Sequence, residues 1–338
     1  MDKIFLIDGS SMLSTQFYGT LPPAYTYSKN EQERQAALEK VLKTSNGQYV
    51  NGVFGMTKTI LKLINSYRPK YLAVFWDVSR QTFRREKYSS YKSHRKETPL
   101  ALSSQFKLTQ SVLSSIGVPQ FKLDNYEADD LIGTFAKQLS TSNDVVILTK
   151  DQDALQLIDE NTTVWLNTKN SEKLYSTFSN FNEQLLKPLK GYFPFTPEAF
   201  KTIYNIEPKQ LIDLKGLVGD KSDGIPGVKN VGNKSAIPLL SNFKTIEGFY
   251  EAVENISLKD AKLLLKEKNI QRVNVENLIK NKEIALLSKE LATIHTSIPD
   301  YANITTNDVK LNISKNDAER TFNELEFYSL NKLLHTLD

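Results

Sequence analysis

Nine carboxylates in this chain stand where acids can work together. Asp8 follows the apolar run Ile-Phe-Leu-Ile, Asp77 follows Tyr-Leu-Ala-Val-Phe-Trp, and Asp151 and Asp153 lie just past Val-Val-Ile-Leu. Glu127, Asp129 and Asp130 crowd into "NYEADDLIGTFA", and Asp220 and Asp223 share "GDKSDGIPG". Singly, each has an ordinary reading, as a helix cap, a charge favoured by a helix dipole, or a loop residue at a strand end. Gathered in one crevice without cations they repel, several retain their protons, and the fold loses stability. Mg²⁺ resolves that conflict, because it takes oxygen ligands directly or through water, and Mn²⁺ is its natural substitute. Two such ions roughly 4 Å apart can clamp a scissile phosphate and generate hydroxide for in-line attack. The absence of cysteine excludes thiolate sites, and three histidines (His94, His295, His335) leave little for a histidine-rich zinc site.

A second constellation is basic. Between Arg80 and Lys107 there are eight Lys or Arg against Glu86 and Glu97, so a chain of net charge +4 concentrates its positive character in one segment. Phe83, Tyr88 and Tyr91 interleave there with Arg84, Arg85, Lys87, Lys92 and Arg95. Cations that hold phosphates and rings that stack on splayed bases are the composition of a single-strand channel. A solvated charged loop is the plain alternative.

A third is the run "GIPGVKNVGNKSA" at 224–236, which reads as a hairpin between two short helices. Gly227 and Gly232 permit tight turning and close backbone approach. The helix starting near Asn233 offers free N–H groups to a phosphate, and Lys229 and Lys234 add charge. An ordinary helical turn is the alternative.

These residues need a scaffold that delivers them to one place. The runs 4–7, 71–76 and 145–148 read as buried parallel strands, and 53–67, 103–116 and 127–139 have helical spacing between them. That alternation predicts an α/β sheet with right-handed crossovers, whose strand carboxyl ends form the ligand crevice. Asp8, Asp77 and Asp151 each stand at such an end. Beyond about residue 185 helical patterns dominate, at 196–204, 233–240, 257–268 and 276–288, so a second, helical domain is expected from near Phe195. The polar stretch 22–46 reads as an insertion or surface helix. At 338 residues the chain can hold two domains. It shows neither a signal peptide nor an apolar run long enough to span a membrane, and a cytoplasmic protein is expected.

The stretches "LIDGSSM", "FWDVSRQTFRREKYSSYKSHR", "NYEADDLIGTFA", "ILTKDQDALQL" and "GLVGDKSDGIPGVKNVGNKSA" occur in this order. Together they resemble the 5′-nuclease (flap endonuclease) superfamily, nearest the 5′→3′ exonuclease domain of bacterial DNA polymerase I and its stand-alone relatives. The resemblance implies a PIN-like α/β core over 1–190 with a parallel-rich sheet flanked by helices and a basic helical arch at about 80–107. It implies a helical domain over 191–295 with a helix–three-turn–helix DNA clamp at about 216–240, and a 296–338 segment that packs back on the core. It assigns Asp8, Asp77, Glu127, Asp129 and Asp130 to a first Mg²⁺ site, and Asp151, Asp153, Asp220 and Asp223 to a second. Lys92 and Arg95 match arch residues at the scissile phosphate, and Arg84 matches a basic position at the arch base. Arg85, Tyr88, Tyr91, Gly227, Lys229, Gly232 and Lys234 are then DNA contacts, and the clamp loop 224–232 would take K⁺ through backbone carbonyls.

Three departures stand out: the longer stretch after Leu21, Gly224 where Asn is common, and Gln152 where Lys is common. None removes a carboxylate. The expected activity is metal-dependent, structure-specific 5′→3′ exonuclease and flap endonuclease cleavage of DNA near 5′ ends, nicks and junctions, by a monomer. RNA primers on DNA would be further substrates, and a separate DNA polymerase would be a partner, since none follows in this chain. Two other readings compete: a nuclease acting mainly on RNA or RNA–DNA hybrids, and a non-catalytic junction binder.

Overall fold

In the computed structural model, which describes residues 2–178, 189–270 and 273–337, six strands form one sheet. They are β1 (Lys3–Asp8), β2 (Tyr71–Phe75), β3 (Gln120–Phe121), β4 (Asp144–Thr149), β5 (Thr162–Asn167) and β6 (Tyr192–Phe195). Their order is β3-β2-β1-β4-β5-β6, with every pairing parallel except the antiparallel β5–β6. The central strands are apolar without alternation because both faces are covered, which is why they read as continuous hydrophobic runs. Ile4, Leu6, Ala73, Phe75, Val145 and Ile147 face the helix Ala128–Leu139 and a core that continues into the helical region. Phe5, Ile7, Leu72, Val74, Val146 and Leu148 face the helices Asn51–Tyr67 and Leu100–Ile116. Ala318, Phe322, Leu330 and Leu334, from the helices Lys315–Glu324 and Tyr328–His335, complete that second core.

The strand order reverses direction between β1 and β4, the place where open parallel sheets leave a crevice at their carboxyl edge. Asp8 ends β1, Asp77 follows β2 and Asp151 follows β4, so the sheet itself carries these acids to one edge.

Several expectations shift in detail. β6, Tyr-Phe-Pro-Phe, lies beyond residue 190, so the core sheet reaches Phe195; Pro194 is accommodated because β6 is an edge strand. The helical pattern at 276–288 is two helices, Val275–Lys280 and Lys282–Ala292, broken at Asn281, whose side chain turns back to the carbonyl of Asn277. The stretch 22–46 holds two short helices, Pro23–Thr26 and Glu31–Leu38. The basic segment is helical only at its two ends: after the short helix Phe83–Lys87 it runs through turns to Pro99 and then enters the helix Leu100–Ile116. Among the described residues no helix is long and apolar enough to cross a membrane.

Candidate active site

The acids of the sheet edge meet in a cleft of about 800 Å³ lined by Asp8, Asp77, Glu127, Asp129 and Asp151. A smaller cleft beside it is lined by Asp151, Asp153 and Asp220, so Asp151 belongs to both. Asp8 is almost buried at 5% exposure. Its Oδ1 accepts from the Ser11 N–H at 2.8 Å and its Oδ2 from the Thr149 hydroxyl at 2.8 Å. Asp77 Oδ1 accepts from the Ala128 N–H at 2.9 Å, which ties the end of β2 to the start of the helix Ala128–Leu139. Asp129 has a buried Oδ1 with no hydrogen-bond partner.

The electrostatics follow from this placement. Burial, then the neighbouring Asp77, pushes the Asp8 carboxyl up to about 7. Burial, then Asp151 and Asp8, raises Asp129 well above the usual carboxylate range. Burial, then Asp151, lifts Asp153 to about 6 even though Lys215 opposes it. Asp220 goes the other way. Its partial burial is outweighed by Lys215 and Ser222, which hold it at about 2.

Protein cations occupy much of the remaining acid. Arg84, 2% exposed, makes a two-pronged pair with Asp130 at 2.6 and 2.7 Å and reaches Glu127 at 3.2 Å. Its other donors go to the carbonyls of Leu291 and Thr293 at 3.0 and 2.7 Å. Lys92 Nζ lies 2.8 Å from Glu127 and 3.5 Å from Asp223, and Arg95 lies 2.6 Å from Asp223. Burial opposes the Lys92 charge, but Glu127, Tyr91 and Asp223 override it and hold its pKa above the ordinary lysine value. Lys215 Nζ joins Asp153 and Asp220, the latter at 2.6 Å.

Several assigned roles change in this geometry. Asp130, expected at the first metal site, is fully buried and faces away from the cleft. Its two oxygens accept from Arg84 and from the N–H groups of Glu127 and His295. With Glu127 it also forms the capping box that starts the helix Ala128–Leu139, so the helix-capping alternative holds for this residue. Arg84, expected as a basic catalytic residue at the arch base, has its guanidinium donors taken by the protein, and removing it would strand buried acids at a cost of about 3–5 kcal/mol. Tyr91 is 3% exposed and its hydroxyl donates to Glu127 at 2.9 Å, so it lies closed against the acids rather than open to a base. Tyr88 packs beside it against a small cluster containing Ile225 and Leu291.

The glycine hairpin joins the helices Leu211–Val218 and Asn233–Phe243. Gly227 has φ +62°, and a Cβ there would meet the Gly219 nitrogen at 2.2 Å, so this glycine is required by packing. Gly232 has open space over its Cα and caps the start of a helix with no side-chain cap. Lys229 and Lys234 are exposed beside it.

Sequence reasoning missed Lys215, Thr149 and Ser11. Lys215 had one visible signal, a charge within the apolar helix run "LIDLKGLV". Among the described residues no three His, Asp or Glu side chains close to the spacing of one shared ion. Arg84, Lys92, Arg95 and Lys215 occupy Glu127, Asp130, Asp153, Asp220 and Asp223, while Asp8, Asp77 and Asp129 make no ion pair among the described residues. The donor set still fits a divalent cation: carboxylates only, one with a buried oxygen lacking any partner.

Residues 3–185 match the 5′-3′ exonuclease N-terminal resolvase-like domain, and residues 206–318 match the 5′-3′ exonuclease C-terminal SAM fold. A 5′-3′ exonuclease of Halalkalibacterium halodurans is 33% identical over 311 residues, covering 91% of this chain and 88% of that protein. DNA polymerase I of Bacillus caldotenax is 33% identical over 298 residues, 88% of this chain, and the chain spans 28% of that polymerase's length. The fold matches the flap endonuclease of bacteriophage T5, solved with DNA and metal ions, with a TM-score of 0.58 at 16% identity and 99% coverage of both chains. With two domain models in order and a relative matched over nearly its whole length, the chain belongs to the 5′-3′ exonuclease family.

Proposed function

We propose that this nuclease is a Mg²⁺-dependent, structure-specific enzyme that cuts DNA near 5′ ends, nicks and flap junctions, RNA primers on DNA included, in replication and repair. The observation that carries this is the unpartnered, buried Asp129 Oδ1 in a cleft shared with Asp8, Asp77, Glu127 and Asp151. Mg²⁺, or Mn²⁺ in its place, would supply an activated water and charge neutralisation at the scissile phosphate. Asp8, Asp77, Glu127 and Asp129 would hold the first ion. Asp151, Asp153, Asp220 and Asp223 would hold the second once Lys215, Lys92 and Arg95 give way.

Lys92 and Arg95, released from Glu127 and Asp223, would turn to the phosphate and stabilise the charge that develops there. Arg84 and Asp130 act one step back, fixing Glu127 and the 291–293 backbone. Gly232, Lys229 and Lys234 would hold the duplex backbone by shape and charge, with no base readout. The K⁺ of this reading would draw on the carbonyls of the 224–232 loop, four of which already accept: Ile225 from the Asp220 N–H, Val228 from the Val231 N–H, Lys229 from Asn277, and Gly232 from the N–H groups of Ser235 and Ala236. A DNA polymerase that creates flaps by strand displacement is the natural partner of such an activity, and the protein acts as a monomer.

The test is cleavage of 5′-labelled flap, nicked and single-stranded DNA, and of matching RNA-armed substrates, with and without Mg²⁺. Mg²⁺-dependent cuts at the junction are expected. Tight binding of the flap with no cut in Mg²⁺ or Mn²⁺ would refute the reading.

A further inference from the structure

Asp8, Asp77 and Asp151, the acids at three strand ends, make no ion pair among the described residues, and hydroxyls stitch their loops together. β1 and β4 pair in parallel as far as Ile7 beside Leu148, so the next residues, Asp8 and Thr149, stand side by side at the carboxyl edge of the sheet. The Thr149 side chain is buried, at 3% exposure. Its hydroxyl donates to Asp8 Oδ2 at 2.8 Å and accepts from the Asp151 N–H at 2.9 Å. Asp151 Oδ1 in turn accepts from the Asp153 N–H at 2.9 Å. Two serines after β1 add longer ties. The Ser10 hydroxyl accepts from the Asp77 N–H at 3.0 Å, and the Ser11 hydroxyl from the Lys150 N–H at 3.2 Å.

A hydroxyl has one proton to give and lone pairs to accept with. Thr149 uses both roles at once, its proton on Asp8 and its oxygen under the main chain of Asp151. Each Asp8 oxygen then has one donor, the Ser11 N–H on Oδ1 and Thr149 on Oδ2, and keeps acceptor capacity for a cation. A lysine in this place would also orient Asp8, but it would neutralise the acid and compete with a metal, as Lys215 does at Asp153 and Asp220. A neutral donor orients the carboxylate and leaves its charge for the ion. The β-branched side chain, stiff about χ1, keeps the hydroxyl on its targets.

Resting on the proposed nuclease function, we propose that Thr149 is a positioning residue of the metal centre. Its hydroxyl fixes Asp8 of the first site against Asp151, which borders both clefts, and so sets the spacing at which two ions can be held. It acts through the carboxylates, as the outer partners of metal ligands do.

A calorimetric titration of Mg²⁺ into DNA-free protein tests this. It compares wild type with Thr149→Val, which removes the hydroxyl and keeps the branched shape, and with Thr149→Ser, which keeps the hydroxyl. Thr149→Val is expected to weaken Mg²⁺ binding by about 10–100-fold, and Thr149→Ser by no more than about threefold. Flap affinity in EDTA should stay within about twofold of wild type in both, since the phosphate contacts are untouched. In cleavage, the valine variant should need correspondingly more Mg²⁺ to reach half its maximal rate. Wild-type Mg²⁺ affinity in the valine variant would overturn the role. So would equal losses in the valine and serine variants, which would mean that the site responds to packing and not to the hydroxyl. Should the melting curve show that the valine variant does not fold, Thr149→Ala against Thr149→Ser makes the same comparison. Wild-type protein that binds Mg²⁺ but leaves flaps uncut would end the nuclease reading, while the titration would still decide Thr149. Wild-type protein that takes up no Mg²⁺ would end both.

Discussion

Two groups of acids, a few residues apart in space, solve the same repulsion differently. Asp8, Asp77 and Asp129 at the sheet edge have, among the described residues, no ion pair. Their contacts are N–H groups and a hydroxyl, or for Asp129 Oδ1 nothing. Asp153, Asp220 and Asp223, at the seam with the helical region, are each paired to Lys215, Lys92 or Arg95. The result is visible in their charge states: Asp8 is driven up to about 7 by burial and Asp77, while Asp220 is held at about 2 by Lys215 and Ser222. The sheet-edge group demands an external cation. The seam group carries its own, so a metal there must displace a lysine or arginine first.

The largest test removes the demand itself. Asp129→Asn should cost roughly 10³-fold or more in cleavage, because a cation ligand is lost. The same change should raise the melting temperature of metal-free protein most at alkaline pH, because a buried carboxyl that resists ionisation is gone. Activity within tenfold of wild type would show that the sheet-edge group is not where the metal acts.

Lys215→Met attacks the other side of the contrast. Breaking a buried pair strands Asp153 and Asp220 and should destabilise metal-free protein by about 3 kcal/mol. Mg²⁺ should then restore more stability than it gives wild type, since it would replace the missing charge. A Mg²⁺-induced melting shift no larger than in wild type would mean that the seam group does not take metal.

The pH response separates the groups by sign. Asp8 and Asp153 have folded pKa values raised above 3.8, to about 7 and about 6, so between those limits the folded state binds more protons than the unfolded. Their contribution is fully present below pH 3.8 and is lost as pH rises through 6 and 7. Metal-free protein should therefore gain roughly 4 kcal/mol from pH 8 to pH 5. Asp220, depressed to about 2, contributes stability above pH 3.8 that is lost only as pH falls toward 2. Saturating Mg²⁺ should flatten the upper arm, and a metal-free stability that climbs from pH 5 to pH 8 would contradict the assignment.

The sheet-edge group was legible in the sequence because two simple signals coincide there. A strand buried on both faces is an unbroken apolar run, and an acid just past it lies at the carboxyl edge of a parallel sheet. Asp8, Asp77 and Asp151 needed nothing more. The partners of the seam group were not legible, because they depend on approaches between distant parts of the chain. Lys215 meets Asp153 across 62 positions, and Arg84 reaches the Leu291 carbonyl across 207. Asp130 shows the limit of spacing arguments: one residue from Asp129, it points the other way around the helix, into Arg84. β3 is too short to leave a pattern, and the proline in β6 masks a strand that only edge placement permits.

Lys92 is where the groups meet, touching Glu127 on one side and Asp223 on the other, and it gives the smallest and most discriminating test. Its backbone is held left-handed at φ 50°, and its N–H donates to the Asp223 carbonyl at 2.8 Å, so the side chain is aimed by the main chain. Lys92→Ala should leave flap affinity within about twofold, because phosphate contacts elsewhere dominate binding. Single-turnover cleavage should fall by about tenfold, since the lost charge matters most as the phosphate takes on charge in the transition state. Lys92→Arg should recover part of that rate. A variant that binds flaps tenfold more weakly but cleaves bound substrate at the wild-type rate would make Lys92 a tether, and the two acid groups would then act without a shared cation between them.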